Sequence, residues 1–228
     1  MKRTFGLIAT CWLAVAVCQG AGWVKLFDGK TLNGWAVHSG KATYVVDNGT
    51  ILGTAVLGSP NSFLCTNKEY GDFTLEFEVK VDPELNSGVQ FRSQIYHGPE
   101  PLKFEDKGKT VEKKLPEDRV YGYQVEIATH DSASSGNVYD EARRGRFLDG
   151  FSARPAAKTA FKDHEWNKYR VECKGDSIRT WVNGVLASDF KDAMTAKGII
   201  GLQVHGVGQD RFKPYQVRWR NIRIRESK

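Results

Sequence analysis

FTLEFEVKV, residues 73–81, alternates apolar and polar side chains without a break. Phe73, Leu75, Phe77, Val79 and Val81 share one face of an extended chain, and Thr74, Glu76, Glu78 and Lys80 share the other. A helix would scatter both sets around its axis, so the segment is a strand with one buried and one solvated face. Pro83 has no N–H for a ladder and ends it. Asn86-Ser87-Gly88 then turns the chain into a second strand, in which Val89, Phe91 and Ser93 oppose Gln90, Arg92 and Gln94.

The same pattern extends in both directions. Asn48-Gly49 joins the strand-like pieces 44–47 and 51–54, and Asn183-Gly184 joins 177–182 and 185–190. Both dipeptides tolerate φ > 0, as two-residue hairpin turns require. Short strands are also expected at 23–29, 62–65, 120–128, 166–173, 198–205 and 217–225. In the last of these a change of face places a bulge near Asn221. Residues 96–119 carry proline, glycine and charge with little periodicity, and read as a functional or disordered insertion. With roughly ten to fourteen short strands and almost no helix, the fold class is all-β, an antiparallel sandwich or barrel.

Composition agrees. The chain has 228 residues, 40% hydrophobic, with 23 glycines and 11% aromatics, which suits one all-β domain with many turns. Residues 1–20 read as a secretory signal peptide: Lys2 and Arg3 lead an apolar run from Phe5 to Val17, and small residues follow. Residues 21–228 form the single domain. The expected location is periplasmic or at the cell surface. A lipid anchor at Cys18 is the weaker reading, because Val17 is bulky where a small residue precedes a lipidated cysteine. No transmembrane helix is expected, since the apolar run is too short.

Removing the leader takes away two of the six excess positive charges. The Arg-rich run 218–225 is read as solvated strand, and export argues against a nucleic-acid partner. Cys65 and Cys173 remain, in strand-like segments with no CxxC neighbour, and read as buried free thiols.

Three strands place polar side chains opposite apolar ones: Gln90 and Arg92; Gln124 and Glu126; Gln203 and His205. Each alone is ordinary sheet exterior. Together they describe a face with a carboxylate, a cation, an imidazole and several amides, which suits a sugar-sized ligand. Glu126, in mid-strand, is the candidate general base. His205 is read either as a hydrogen-bonded structural histidine or as a participant. In YDEARRG, residues 139–145, the acids and arginines pair among themselves, or Arg143 or Arg144 reaches a substrate oxygen. GxSxG, HExxH, P-loop and GxGxxG-helix motifs are absent. No ExDxxE run begins at Glu126, which weakens a conventional two-carboxylate glycoside hydrolase.

WVKLFDGKTLNGW (23–35), KEYGDFTLEFEVKV (68–81), NSGVQFRS (86–93), YGYQVEI (121–127), GNVYDEARRG (136–145), EWNKYRVECKGDSIRTWVNGV (165–185), GIIGLQVHG (198–206) and VRWRNIRI (217–224) occur in an order that resembles the 3-keto-disaccharide hydrolase family. The resemblance implies a concanavalin A-like jelly-roll sandwich of two antiparallel sheets, with a sugar site on the concave face. It implies a hydrolase or lyase that cleaves 3-keto-glycosides. The C3 ketone acidifies the C2 proton, a base removes it, and the enolate expels the aglycone from C1.

Carried over residue by residue, Glu126 would be the base, and Arg92 the enolate stabiliser, or a divalent metal in its place. His205 would be the proton donor or a metal ligand. Gln90, Gln124 and Gln203 would bind the sugar from the floor, and Tyr139, Arg143 and Arg144 would close over it. The chain departs from the family pattern in the reversed order of Gln124 and Glu126, and in Ala128 where an aspartate is common. A non-catalytic, lectin-like carbohydrate-binding module is the rival reading.

Overall fold

The period-2 pattern becomes two stacked antiparallel sheets in the computed structural model, which describes residues 22–149, 154–209 and 213–227. The expected signal peptide and Cys18 lie outside the described residues. The strands are β1 (Val24–Lys25), β2 (Trp35–His38), β3 (Thr43–Asp47), β4 (Thr50–Thr54), β5 (Ser62–Thr66), β6 (Phe73–Val81), β7 (Ser87–Tyr96) and β8 (Leu102–Asp106). They continue as β9 (Lys109–Lys113), β10 (Arg119–Ile127), β11 (Val138–Glu141), β12 (Asn167–Lys174), β13 (Ser177–Val182), β14 (Val185–Lys191), β15 (Ile199–Val204) and β16 (Gln216–Glu226).

One sheet runs β14-β13-β12-β6-β16-β4-β3, with β1 paired to β16; the other runs β11-β10-β7-β15-β5-β2. The chain is an all-β jelly-roll sandwich. No helix among the described residues is long and apolar enough to cross a membrane.

The apolar face of β6 lies at the centre. Phe73, Leu75, Phe77 and Val79 are buried against Val89, Phe91, Tyr123, Val125 and Leu202 of the opposite sheet. Phe77 stacks on Tyr169 at 5.1 Å between centroids, and Phe91 on Tyr123 at 5.6 Å. Each such side chain contributes about 1.5–3 kcal/mol through burial. Asn48 (φ 48°) and Asn183 (φ 49°), each followed by a glycine with positive φ, make the two expected hairpin turns. The expected bulge sits at Asn221 (φ 53°), where the register of β16 against β6 shifts between Arg220 and Arg223. It keeps Trp219 and Ile222 both in the core, although they lie three positions apart.

Two expectations are revised. Residues 96–119 are ordered around a hairpin of their own, β8 with β9, whose short strands alternate only between half-buried and exposed side chains. A second bulge occurs in β7, where Phe91, Arg92 and Ser93 oppose only Gly122 and Tyr123 of β10. Arg92 takes a left-handed conformation there (φ 47°), which breaks the alternation read from the sequence. Cys65 and Cys173 are both buried free thiols.

Candidate active site

The outer face of the six-stranded sheet carries a directed chain of hydrogen bonds. Pairing sets Gln124 beside Gln90 across β10 and β7, and aligns Glu126, Gly88 and Gln203 across β10, β7 and β15. The Ser93 hydroxyl donates to Gln90 Oε1 at 2.6 Å. Gln90 Nε2 donates to Gln124 Oε1 at 2.8 Å, and Gln124 Nε2 to Glu126 Oε2 at 3.1 Å. Every group along it uses a donor on the next, so the chain ends on an acceptor, as a carboxylate demands. Gln124 lies directly over Gly88, where an added Cβ would come within 2.4 Å of its side-chain carbonyl carbon. Glycine at 88 therefore makes room for the link.

Glu126 is 7% exposed. Its Oε1 accepts a hydrogen bond from the Asn86 amide. Burial raises its pKa from 4.5 to about 7; the Asn86 and Gln124 donors restrain that rise, and the nearby Glu141 charge adds to it. The carboxylate thus exchanges its proton near neutrality, which suits a general base.

Around it opens a cleft of about 330 Å³ lined by Asn61, Asn86, Gln124, Glu126, Tyr139, Glu141, Phe147, Gln203 and His205. Tyr139 and Phe147 meet edge to face at 5.3 Å and form an aromatic wall. Burial, followed by the charges of Glu141, Glu126 and Asp140, raises the Tyr139 pKa, so its hydroxyl stays protonated. Gln203 is 1% exposed, and neither its Nε2 nor its Oε1 has a protein partner. A buried amide left open on both ends is a ready contact for a ligand hydroxyl or carbonyl. His205 is exposed at the rim, with Nδ1 2.8 Å from the Gly206 carbonyl.

Of the expected residues, Glu126, Gln124, Gln203, Tyr139 and His205 line this one cleft. Gln90 does not reach it; it is fully buried and holds Gln124 from beneath. Arg92 is brought nowhere near. The bulge turns its guanidinium to one end of the sandwich, where it donates to the carbonyls of Gly71 and Gly175 at 2.8 Å and to Asp72 at 2.7 Å. Three acceptors from two distant turns outweigh the local alternation, so Arg92 is a structural residue.

Arg143 and Arg144 are also withdrawn. Both pair with Asp140, which is fully buried; Arg143 also donates to Thr195 at 2.7 Å and Arg144 to Asp192 at 2.6 Å. Both guanidinium groups lie over the Tyr123 ring. The internal pairing open to YDEARRG is the one adopted, because Asp140 could not stay charged and dry without it.

Four cleft residues escaped the sequence reading, Phe147 of the aromatic wall among them. Asn86 reads as a turn residue and Asn61 as a loop residue. Glu141 is hidden in the charged run, although it lies two residues beyond Tyr139 and so on the same strand face. Glu141 pairs with Arg119 and accepts from Asn61 at 3.3 Å. Among the described residues no three His, Cys, Asp or Glu side chains converge to hold a metal ion. Glu126 and Glu141 have oxygens engaged by amides and a guanidinium, so the cleft does not fit the divalent metal raised as an alternative to Arg92.

Solved structures share this architecture. A protein of Parabacteroides distasonis, provisionally assigned as a glycosyl hydrolase, is 20% identical over 91% of this chain and 94% of its own, with a TM-score of 0.56. The carbohydrate-binding module CBM66 of Bacillus subtilis is 15% identical, covering 85% and 96%, with a TM-score of 0.54. A β-glucanase of Bacillus licheniformis is 13% identical, covering 92% and 100%, also with a TM-score of 0.54. At these identities the likeness speaks for the fold. No curated protein matches the sequence. A family model matches residues 22–225, nearly all of the described chain, so this carbohydrate-active protein belongs to the 3-keto-alpha-glucoside-1,2-lyase-like domain family.

Proposed function

We propose that the protein cleaves glycosides carrying a ketone at C3 of the sugar, with Glu126 removing the C2 proton. The observation that carries this reading is the Glu126 carboxylate, 7% exposed and with its pKa raised to about 7, while Glu141, the second carboxylate of the cleft, is held by Arg119. A binding module gains nothing from such a group, whereas an α-proton beside a ketone needs one base close to neutrality. The electron pair released at C2 forms the enolate and then expels the aglycone from C1. Water adds back for net hydrolysis, or the unsaturated sugar leaves for net elimination.

With Arg92 committed elsewhere, the Gln203 amide takes its place in this scheme. Gln203 lines the cleft, and its buried, unpartnered Nε2 is the donor assigned to the enolate oxygen. One such donor is worth about 10²–10³ in rate. His205 gives a proton to the departing oxygen, Tyr139 donates to a sugar hydroxyl, and the Tyr139–Phe147 wall meets the apolar face of the ring. The leader read in residues 1–20 would place this activity in the periplasm or at the cell surface.

Incubation with a 3-keto-glucoside should release the aglycone, and Glu126→Gln should remove most of that turnover while the fold persists. Turnover close to the parent rate in Glu126→Gln would sink the assignment. Tight calorimetric binding of unoxidised oligosaccharide, with no cleavage of the keto form, would favour the lectin-like reading instead.

A further inference from the structure

A second cleft of about 360 Å³ adjoins the first and shares Asn61 and His205 with it. Its other walls include Pro60, Pro116, Arg119 and Gly206. A sugar seated over Glu126 with its C1 oxygen toward His205 would send its aglycone across that shared border. We propose that the second cleft is the leaving-group subsite and that it takes an apolar ring rather than a second sugar. This rests on the proposed function of the first cleft.

The argument is one of polar supply. A sugar aglycone brings several hydroxyls, each of which must exchange its water for a protein partner. Each polar side chain of the second cleft, His205 included, already has at least one protein partner. Ser39 Oγ donates to the Asp118 carbonyl at 3.1 Å and accepts from Val120 N–H at 2.9 Å. The Glu117 carboxylate accepts from Gly98 N–H at 3.0 Å and pairs with His97 at 3.0 Å. Arg119 pairs with Glu141, and Asn61 accepts from Gly206 N–H at 2.9 Å while donating to Glu141 at 3.3 Å. The exposed ring faces of Pro60 and Pro116 remain, and they favour a flat apolar group. The first cleft is the opposite case, with the buried Gln203 amide lacking a protein partner at both ends.

The test uses 3-keto-glucosides of one anomeric configuration bearing benzyl, methyl or glucosyl aglycones, all alcohol leaving groups. The benzyl compound is expected to show kcat/KM about tenfold or more above the methyl and glucosyl compounds. Pro116→Asp, at an exposed position, should pull the benzyl-to-methyl ratio down several-fold, with circular dichroism confirming the fold. A glucosyl compound turned over as well as the benzyl one, or a ratio untouched by Pro116→Asp, overturns the inference and leaves the proposed function standing. No turnover of any keto compound overturns the functional reading, and this inference with it.

Discussion

Replacing Glu126 by glutamine should stabilise the protein above neutral pH while abolishing turnover, and the stabilisation should vanish in acid. The carboxyl titrates at about 7 in the native state against 4.5 when unperturbed. Below pH 4.5 native and unfolded chains both hold the proton, and Glu126 costs nothing. Between 4.5 and 7 the native chain keeps a proton that the unfolded chain has lost, so stability falls as pH rises. Above 7 both forms are ionised and the native state bears the full cost of a buried charge, about 3 kcal/mol at 1.36 kcal/mol per pH unit. Glutamine removes that cost but sets an amide nitrogen against the Asn86 or Gln124 donor, a pH-independent loss of about 1 kcal/mol. For a domain of this size 3 kcal/mol corresponds to roughly 6–12 °C in Tm. Thermal melts of both proteins from pH 4.5 to 8.5 read the difference directly. Two Tm curves that stay parallel across this range would refute the buried, perturbed carboxylate and the mechanism built on it.

Gly88→Ala should fold yet lose at least about tenfold in kcat, because its methyl group displaces Gln124 from Glu126; steady-state kinetics check this, and full activity would show that the link is dispensable. Asn86→Ala removes a donor that restrains the Glu126 pKa, so the ascending limb of the pH–rate profile should move upward by roughly one pH unit. Arg92→Ala strands the Gly71 and Gly175 carbonyls and Asp72, and should cost about 2–4 kcal/mol in denaturant titration. Its kcat in the surviving folded fraction should be close to that of the parent, whereas an enolate stabiliser would show a loss of two orders of magnitude or more.

Much of this molecule is written locally. Alternation at 73–81, the two Asn-Gly turns and the face change before Asn221 are properties of neighbouring residues, and each survives into the fold. Glu126, Gln124 and Gln203 were legible for the same reason: in regular strands the apolar residue on either side settles which way the polar one points; His205, one residue past the end of β15, was reached by extending that alternation. Tyr139 belonged with them, but its neighbours could be sorted only by what they met. The Arg143 and Arg144 partners Asp192 and Thr195 are about fifty residues away, so no local rule could choose between an internal network and a substrate clamp.

The sequence by itself determined most of the strands, their buried faces and the carboxylate at 126, because period-2 alternation depends only on adjacent side chains; β8, β9 and β11 were not among them. Tertiary structure alone decided who stands beside that carboxylate. VQFRSQ alternates without fault at 89–94, yet acceptors from the turns at Gly71, Asp72 and Gly175 pull Arg92 into a bulge and away from the site. Asn61, Asn86 and Glu141 arrive because β11, β10, β7, β15 and β5 pair in that order, and the burial that raises Glu126 exists only once they have.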